Sequence, residues 1–189
     1  MICYTCNEAV KGPVCVGCTA LQPPPFSLDP FVLLGVPRRY HLAAAQVDEA
    51  YRTVARRVHP DKFAARPAVE RRMSLQWTAA LNEARRVLKD PDRRARMLAT
   101  GQAEPREKGG PKLDPTFLAE IFEWREQDEE TPGALSELAR EREAELRVEL
   151  DTIFVAWEQG TGDLTLVEDR LARLKYVTGL IREPSAPGS

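Results

Sequence analysis

Apolar residues along most of this chain recur at the three- and four-residue spacing of an α-helix, and this spacing constrains the fold more than any other feature. Between positions 43 and 58, one stripe comprises Val47, Tyr51, Val54 and Val58. A second stripe, between positions 68 and 88, comprises Met73, Trp77, Leu81, Ala84 and Val87 or Leu88. No segment alternates apolar and polar residues as a half-buried strand does. The pattern predicts an all-α protein.

Capping residues followed by proline predict where several helices begin. A short polar side chain accepts a hydrogen bond from the first-turn amides, and a proline at the first helical position loses nothing there. Four such pairs are present: Asp29-Pro30, Asp90-Pro91, Asp114-Pro115 and Thr131-Pro132. A last helix is predicted from Leu164 to Arg182, with a capping residue at Asp163. Three helices joined by short turns indicate an antiparallel bundle in the C-terminal part.

Proline- and glycine-rich stretches divide the chain into pieces. We predict a cysteine-bearing module at 1–20, a helical domain at 27–100, a linker at 101–112, a three-helix bundle at 113–183 and a disordered tail at 184–189. No internal repeat is evident.

The net charge of −2 conceals a basic half and an acidic half. Of the 27 Lys and Arg, 16 lie in positions 1–100, whereas only 9 of the 29 Asp and Glu do. A basic surface suits either a nucleic acid or an acidic protein. No apolar run approaches the roughly 20 residues of a membrane span. We also expect no secretory signal, because the residues before Cys3 leave no room for its charged and apolar regions. We therefore expect a cytoplasmic protein with no membrane partner.

All four cysteines fall within the first eighteen positions, as two Cys-x-x-Cys pairs: Cys3, Cys6, Cys15 and Cys18. Each pair can present two sulfurs to one tetrahedral ion, so the spacing predicts a closed structural zinc site with one ion per chain. The alternatives are two disulfides, a redox role and an iron-sulfur centre. So short a segment cannot build its own core, and the metal would supply its folding free energy.

A rigid polar turn follows the first amphipathic helix. Pro60 cannot continue that helix, so His59 and Asp61 are predicted to stand exposed on the turn. Three helix residues, Arg52, Arg56 and Arg57, fall on or beside the face opposite the apolar stripe, and Lys62 extends the turn. The alternative is an ordinary solvated face.

These residues carry a resemblance to a known family. The helical domain resembles a J-domain, and more narrowly that of the HscB co-chaperones. The segment that opens the C-terminal bundle is similar to the start of that family's scaffold-binding domain. The stretches concerned are Leu28–Phe31, Leu34–Pro37, Tyr40, His59–Phe63, Leu81–Ala84, Leu88–Pro91 and Asp114–Glu120 with Glu123 and Arg125.

The resemblance implies a co-chaperone that aids iron-sulfur cluster assembly. It would stimulate the ATPase of a DnaK-type chaperone and deliver to it the scaffold protein on which iron-sulfur clusters are built. Chaperone binding would then fall to His59, Pro60, Asp61, Arg52, Arg56, Arg57 and Lys62. Scaffold binding would fall to Leu118, Ala119, Phe122 and Tyr176.

Helical geometry partly agrees with the scaffold assignment. Phe117, Ile121 and Trp124 suffice as a core stripe on their helix, which leaves Leu118 and Phe122 off it. On the last helix Val167, Leu171, Leu174 and Ile181 form the core line, and Tyr176 and Leu180 lie on roughly the opposite side. Either a third element covers these off-stripe residues or they form an exposed binding patch.

Three other functions fit less well. A general J-protein would bind unfolded clients through the C-terminal bundle. A nucleic-acid-binding protein would need aromatic residues among basic ones, and the cysteine pairs carry no basic cluster. An enzyme could use His59 with Asp61, but no nucleophile motif or glycine-rich phosphate loop accompanies them. We therefore expect neither catalysis nor a nucleic-acid partner.

Overall fold

The structure is a computed structural model that describes residues 1–26, 28–105 and 113–182. Within these ranges every regular element is a helix, which confirms the all-α prediction. Two isolated antiparallel bridges join Ile2 to Ala9 and Val14 to Leu21. The chain divides into two compact units, Met1–Arg94 and Ala95–Ser189. Most of the predicted linker 101–112 and all of the predicted tail 184–189 lie outside the described residues.

The described residues form eight helices. In chain order they are α1 (Pro30–Leu34), α2 (Ala44–Val58), α3 (Pro60–Phe63), α4 (Ala68–Lys89), α5 (Pro91–Thr100), α6 (Pro115–Glu130), α7 (Ala134–Glu158) and α8 (Val167–Arg182).

Helix α4 organises the first unit, where it contacts α1, α2 and α3. Tyr51 Oη donates to Asn82 Oδ1 at 2.7 Å, and Ser74 Oγ donates to the Val58 carbonyl at 2.6 Å. Residue numbers rise along α2 as they fall along α4, so the two helices form an antiparallel hairpin. The hairpin buries Val58 together with Trp77 and other members of the predicted α4 stripe.

Charged side chains reinforce the same hairpin. Asp48 on α2 accepts hydrogen bonds from Arg85 at 2.7 Å and from Lys89 at 3.0 Å, both on α4. The hydrogen bond from Arg85, followed by that from Lys89, holds the pKa of Asp48 below its usual value. The pairing therefore favours the ionised carboxylate at neutral pH.

In the second unit, α7 contacts both α6 and α8. The predicted stripe of Phe117, Ile121 and Trp124 is buried on α6. Three residues on α7, Leu146, Leu150 and Phe154, are completely buried. The arrangement is the expected three-helix bundle.

Two helix starts in this bundle differ from prediction. Helix α7 begins at Ala134 rather than at the Thr131-Pro132 pair, because Asp128 on α6 supplies the acceptor instead. Its Oδ1 accepts from the amide of Gly133 at 2.9 Å and from that of Leu135 at 3.1 Å. Helix α8 begins at Val167 rather than Leu164, because Asp163 caps a turn that precedes the helix.

Leu180, which lies off the predicted core line of α8, is buried, since only 4% of this residue is accessible. Helix α6 reaches α8 on the side away from the core line, where the Phe117 ring packs edge-on against Tyr176 at 6.2 Å. Leu180 lies one turn beyond Tyr176 on that side. A neighbouring element thus covers this off-stripe residue, as the alternative above allowed.

Candidate metal centre and docking surfaces

The four cysteines lie on two loops that repeat one backbone pattern. Cys6 is followed by Asn7 and Cys18 by Thr19, both with φ of 61°. The two loops therefore share one local backbone conformation. In each loop the backbone of the first cysteine bonds the two residues that follow the second cysteine. The Cys3 carbonyl accepts from the Asn7 amide at 3.1 Å, and the Cys3 amide donates to the Glu8 carbonyl at 2.8 Å. In the second loop the Cys15 carbonyl accepts from the Thr19 amide, and the Cys15 amide donates to the Ala20 carbonyl, both at 3.0 Å.

This double loop brings all four sulfur atoms within 4.8 Å of one another. Cys3 Sγ lies 3.5 Å from Cys18 Sγ, and Cys6 Sγ lies 3.6 Å from Cys15 Sγ. No disulfide joins any of them. A tetrahedral ion with metal–sulfur bonds of about 2.3 Å needs sulfur separations of about 3.8 Å. The sulfur cluster therefore fits a single tetrahedral metal ion.

The protonation of these thiols also suits a metal site. Burial alone would raise the pKa of Cys3, but the backbone amides of Cys6 and Thr5 and the thiols of Cys18 and Cys6 lower it to about 6. The amide of Glu8 lowers the pKa of Cys6, but burial and the three neighbouring sulfurs raise it to about 12. One thiolate thus forms readily, while Cys6 needs a cation to release its proton.

The His-Pro-Asp turn forms the one-turn helix α3. His59 caps it, because its Nδ1 accepts a hydrogen bond from the Asp61 amide at 3.3 Å. A neutral imidazole in this arrangement carries its proton on Nε2. The side chains of His59 and Asp61 are 57% and 90% exposed, so the structure holds both polar groups out towards solvent.

A groove of about 580 Å³ adjoins this turn. Five of the seven residues predicted to bind the chaperone line it: Arg52, Arg56, His59, Asp61 and Lys62. Tyr51 and Ala55 complete the lining. Pro60, the first residue of α3, is half-buried and is not among the lining residues.

Arg57 lies away from this groove. It lines a separate cleft of about 430 Å³ together with Lys62, Arg66 and part of the second cysteine loop. A Cβ added to Gly12 would lie 3.1 Å from Arg57 Nη2, so the guanidinium rests against the cysteine segment. The structure therefore separates Arg57 from Arg52 and Arg56, although all three belong to α2.

Tyr51 lines the groove, although the sequence analysis assigned it to the apolar stripe of its helix. Its ring is half-buried, Arg85 stacks over it at 5.1 Å, and its hydroxyl bonds Asn82. The periodic stripe includes Tyr51, but periodicity does not separate a core residue from one at the rim. The amphipathic side chain of tyrosine, with its apolar ring and polar hydroxyl, could have indicated a position at the rim of the core.

The four residues predicted to bind the scaffold differ in exposure. Three of them are exposed: Phe122 at 67%, Tyr176 at 36%, and Ala119. Leu118 is half-buried. Tyr176 meets α6 at Phe117, the neighbour of Leu118, and Phe122 lies one turn further along the helix. Tyr176 also lines a cavity of about 340 Å³ together with Leu113 and Leu180. Leu118, Ala119 and Phe122 do not line this cavity.

The described ranges contain no helix that is both long enough and apolar enough to cross a bilayer.

Two family models match the chain. The DnaJ domain model matches residues 29–97, and the model described as the HSCB C-terminal oligomerisation domain matches residues 113–183.

Several curated proteins are similar over most of the chain. A Bordetella pertussis protein named Co-chaperone protein HscB homolog is 37% identical over 163 residues, which cover 84% of this chain and 95% of the relative. A Bordetella avium protein of the same name is 41% identical over 124 residues, or 61% of this chain and 74% of the relative.

Solved structures give the same result. The human co-chaperone protein HscB superposes with a TM-score of 0.75 at 26% identity and covers 95% of this chain and 94% of its own. The chaperone HscB from Vibrio cholerae gives a TM-score of 0.60 at 29% identity, covering 80% and 92%.

Proposed function

The chain belongs to the HscB family of co-chaperones, and on that premise we propose that it stimulates ATP hydrolysis by a DnaK-type chaperone and delivers an iron-sulfur scaffold protein to it. The process is the assembly or transfer of iron-sulfur clusters in the cytoplasm. The chain contributes binding surfaces to this process and has no catalytic residues of its own. Its parts are the segments 1–20, 27–100 and 113–183, which act as metal module, J-domain and scaffold-binding bundle.

The observation that carries the chaperone role is the groove beside the His-Pro-Asp turn. Arg52, Arg56 and Lys62 give it three cations, and Asp61 is its single acid among the lining residues. Such a surface attracts an acidic partner and steers its approach. The exposed imidazole and carboxylate of the turn stand at the rim, where a docked partner would contact both. Arg57 lines the cleft that shares Lys62 with this groove, and Pro60 lies between His59 and Asp61, so we include both in the proposed docking surface.

The chaperone role is tested by the ATPase rate of a DnaK-type chaperone with and without the full chain. His59→Gln should abolish stimulation, because it removes the imidazole from the groove. Helicity should remain unchanged, since an exposed turn residue contributes little to stability. The matched control is His41→Gln, which changes the other histidine of the chain, outside the groove. Undiminished stimulation by His59→Gln would refute the role.

The scaffold role rests on the exposed side chains of the C-terminal unit. Phe122 and Tyr176 present apolar surface to solvent, and exposed apolar surface of this kind marks interaction sites. With Leu118 and Ala119 they form the surface that binds the scaffold. A general J-protein would use the same residues for unfolded clients, so the two functions differ in the partner and not in the patch.

The metal is one structural zinc ion bound by Cys3, Cys6, Cys15 and Cys18. Four thiolates fill a tetrahedral coordination sphere and leave no open position for a substrate. The sulfur separations support a single ion, because a cluster with bridging sulfides would hold the cysteine sulfurs farther apart. The ion would supply folding free energy to the module.

A further inference from the structure

Gln22 is a completely buried polar residue between the cysteine loops and the J-domain. Its Nε2 donates to Cys3 Sγ at 3.3 Å and to the Ala20 carbonyl at 3.0 Å, and its Oε1 accepts from the Tyr4 amide at 3.3 Å. Its own carbonyl accepts from the indole Nε1 of Trp77 at 2.8 Å. One residue thus contacts a metal-ligating sulfur and a core tryptophan of α4.

A second connection joins the other cysteine loop to α4. Arg66 donates to the carbonyl of Thr19 at 3.1 Å and to its hydroxyl at 2.8 Å. Glu70, only 5% exposed, accepts from the Leu21 amide at 3.2 Å and lies 3.8 Å from Arg66. Thr19 directly follows Cys18, and Arg66 lies just before α4, so this loop is tied to the start of α4 close to one of its cysteines.

Glu70 and Trp77, which take part in these hydrogen bonds, share one face of α4 with Ser74. Glu70, Ser74 and Trp77 are spaced by four and three residues, which places them on one side of the helix. All three are buried. Ser74 bonds the carbonyl of Val58, the residue before His59, so the face that carries the cysteine module also carries the base of the His-Pro-Asp turn.

We propose that Gln22 is a positioning residue that couples zinc loading of the four cysteines to this face of α4. The inference rests on the zinc site proposed above. Four thiolates and one Zn²⁺ leave an excess of negative charge, and the Gln22 amide donates directly to one of those sulfurs. Donors of this kind orient metal ligands and strengthen binding. Zinc therefore fixes the Gln22 side chain, and the Gln22 backbone then holds the Trp77 indole.

The test follows hydrogen exchange of the tryptophan indoles by NMR in the full chain. Trp77 is assigned with the variant Trp77→Phe, while Trp124 and Trp157, both in the other unit, serve as internal references. Adding one equivalent of Zn²⁺ to metal-free, reduced protein should slow exchange at Trp77 by at least about tenfold. The two reference indoles should not change. If the Trp77 indole of the unmodified chain exchanges at the same rate with and without Zn²⁺, the inference is wrong.

Gln22→Leu tests the residue itself, with Gln46→Leu on the exposed side of α2 as the matched control. Gln22→Leu should weaken Zn²⁺ binding roughly tenfold or more, and Trp77 should exchange as in metal-free protein even at saturating Zn²⁺. Because coupling is reciprocal, Trp77→Phe should also weaken Zn²⁺ binding. Unchanged affinity and unchanged exchange in Gln22→Leu would contradict the proposal.

The outcomes separate this inference from the proposed function. If the chain binds no Zn²⁺, the zinc site fails and the inference fails with it. If Zn²⁺ binds tightly but Trp77 does not respond, only the inference fails. Chaperone stimulation is measured separately with His59→Gln and depends on neither result.

Discussion

At the scale of single residues, the four neighbouring cysteines differ in the pKa of their thiols, because each thiol has different hydrogen-bond donors around it. Amides and neighbouring thiols outweigh burial at Cys3 and lower its pKa to about 6. At Cys6 the Glu8 amide lowers the pKa, but burial and the three neighbouring sulfurs together raise it to about 12. The pKa of Cys18 is also raised, although the Ala20 amide lowers it, because burial and the sulfurs of Cys3 and Cys15 prevail.

This division predicts how zinc binding depends on pH. At pH 7, metal-free Cys3 is mostly a thiolate while Cys6 and Cys18 keep their protons, so binding Zn²⁺ should release at least about two protons. Affinity should rise with pH, by at least two logarithmic units per pH unit near pH 7. The dependence should steepen below pH 6, where Cys3 is protonated too.

Calorimetry in buffers of different ionisation enthalpy measures the number of protons released. The matched control is the variant with all four cysteines changed to serine, which should neither bind Zn²⁺ nor release protons. Release of fewer than about two protons at pH 7 would contradict the raised pKa of Cys6 or that of Cys18.

At the scale of elements, the cap of α7 comes from the preceding helix and not from the turn. Thr131 ends α6, where its amide bonds the Gln127 carbonyl at 2.8 Å. Gly133, with φ of 99°, takes a left-handed conformation that favours glycine, and it precedes the helix. Asp128 therefore satisfies two amides at a helix start that the sequence assigned to Thr131.

This difference gives a direct comparison of two substitutions. Asp128→Ala should lower the free energy of unfolding by about 1 kcal/mol, the usual cost of losing a helix cap. Thr131→Ala should change it by less than about 0.5 kcal/mol, since that side chain caps nothing in the structure. Urea unfolding followed by circular dichroism provides both values. A larger loss for Thr131→Ala than for Asp128→Ala would favour the cap predicted from sequence.

Features set by local sequence were predictable, and features set by distant partners were not. The stripe of Phe117, Ile121 and Trp124 is buried as predicted, because helical periodicity alone decides which side faces a core. The burial of Gln22 and Glu70 could not be predicted, because polar side chains are buried only where remote groups satisfy their hydrogen bonds. The burial of Leu180, off the predicted core line of α8, likewise does not follow from helical periodicity.

The candidate sites follow the same division. The four cysteines could be identified from their spacing, and His59 and Asp61 from the proline between them. The separation of Arg57 from Arg52 could not be read from helical spacing, because it depends on where the cysteine module packs. That packing involves Gly12, far from α2 in sequence.

At the scale of the whole molecule, the two proposed docking surfaces belong to different compact units. The groove at His59 lies in Met1–Arg94 and the patch at Phe122 and Tyr176 in Ala95–Ser189. The basic residues concentrate in the first half of the sequence and the acidic residues in the second. Substitutions in one surface should therefore leave the fold of the other unit intact, since each unit has its own internal contacts.

The most direct test of the account measures chaperone ATPase with and without the purified scaffold protein. The wild-type chain should stimulate the ATPase alone and further when scaffold is present. The triple variant Leu118→Ala, Phe122→Ala, Tyr176→Ala should keep the first effect and lose the second, with scaffold binding weakened on the order of 30-fold. An unfolded polypeptide in place of scaffold should give no enhancement. Scaffold enhancement that survives in the triple variant, or an unfolded polypeptide that works as well as scaffold, would contradict the account.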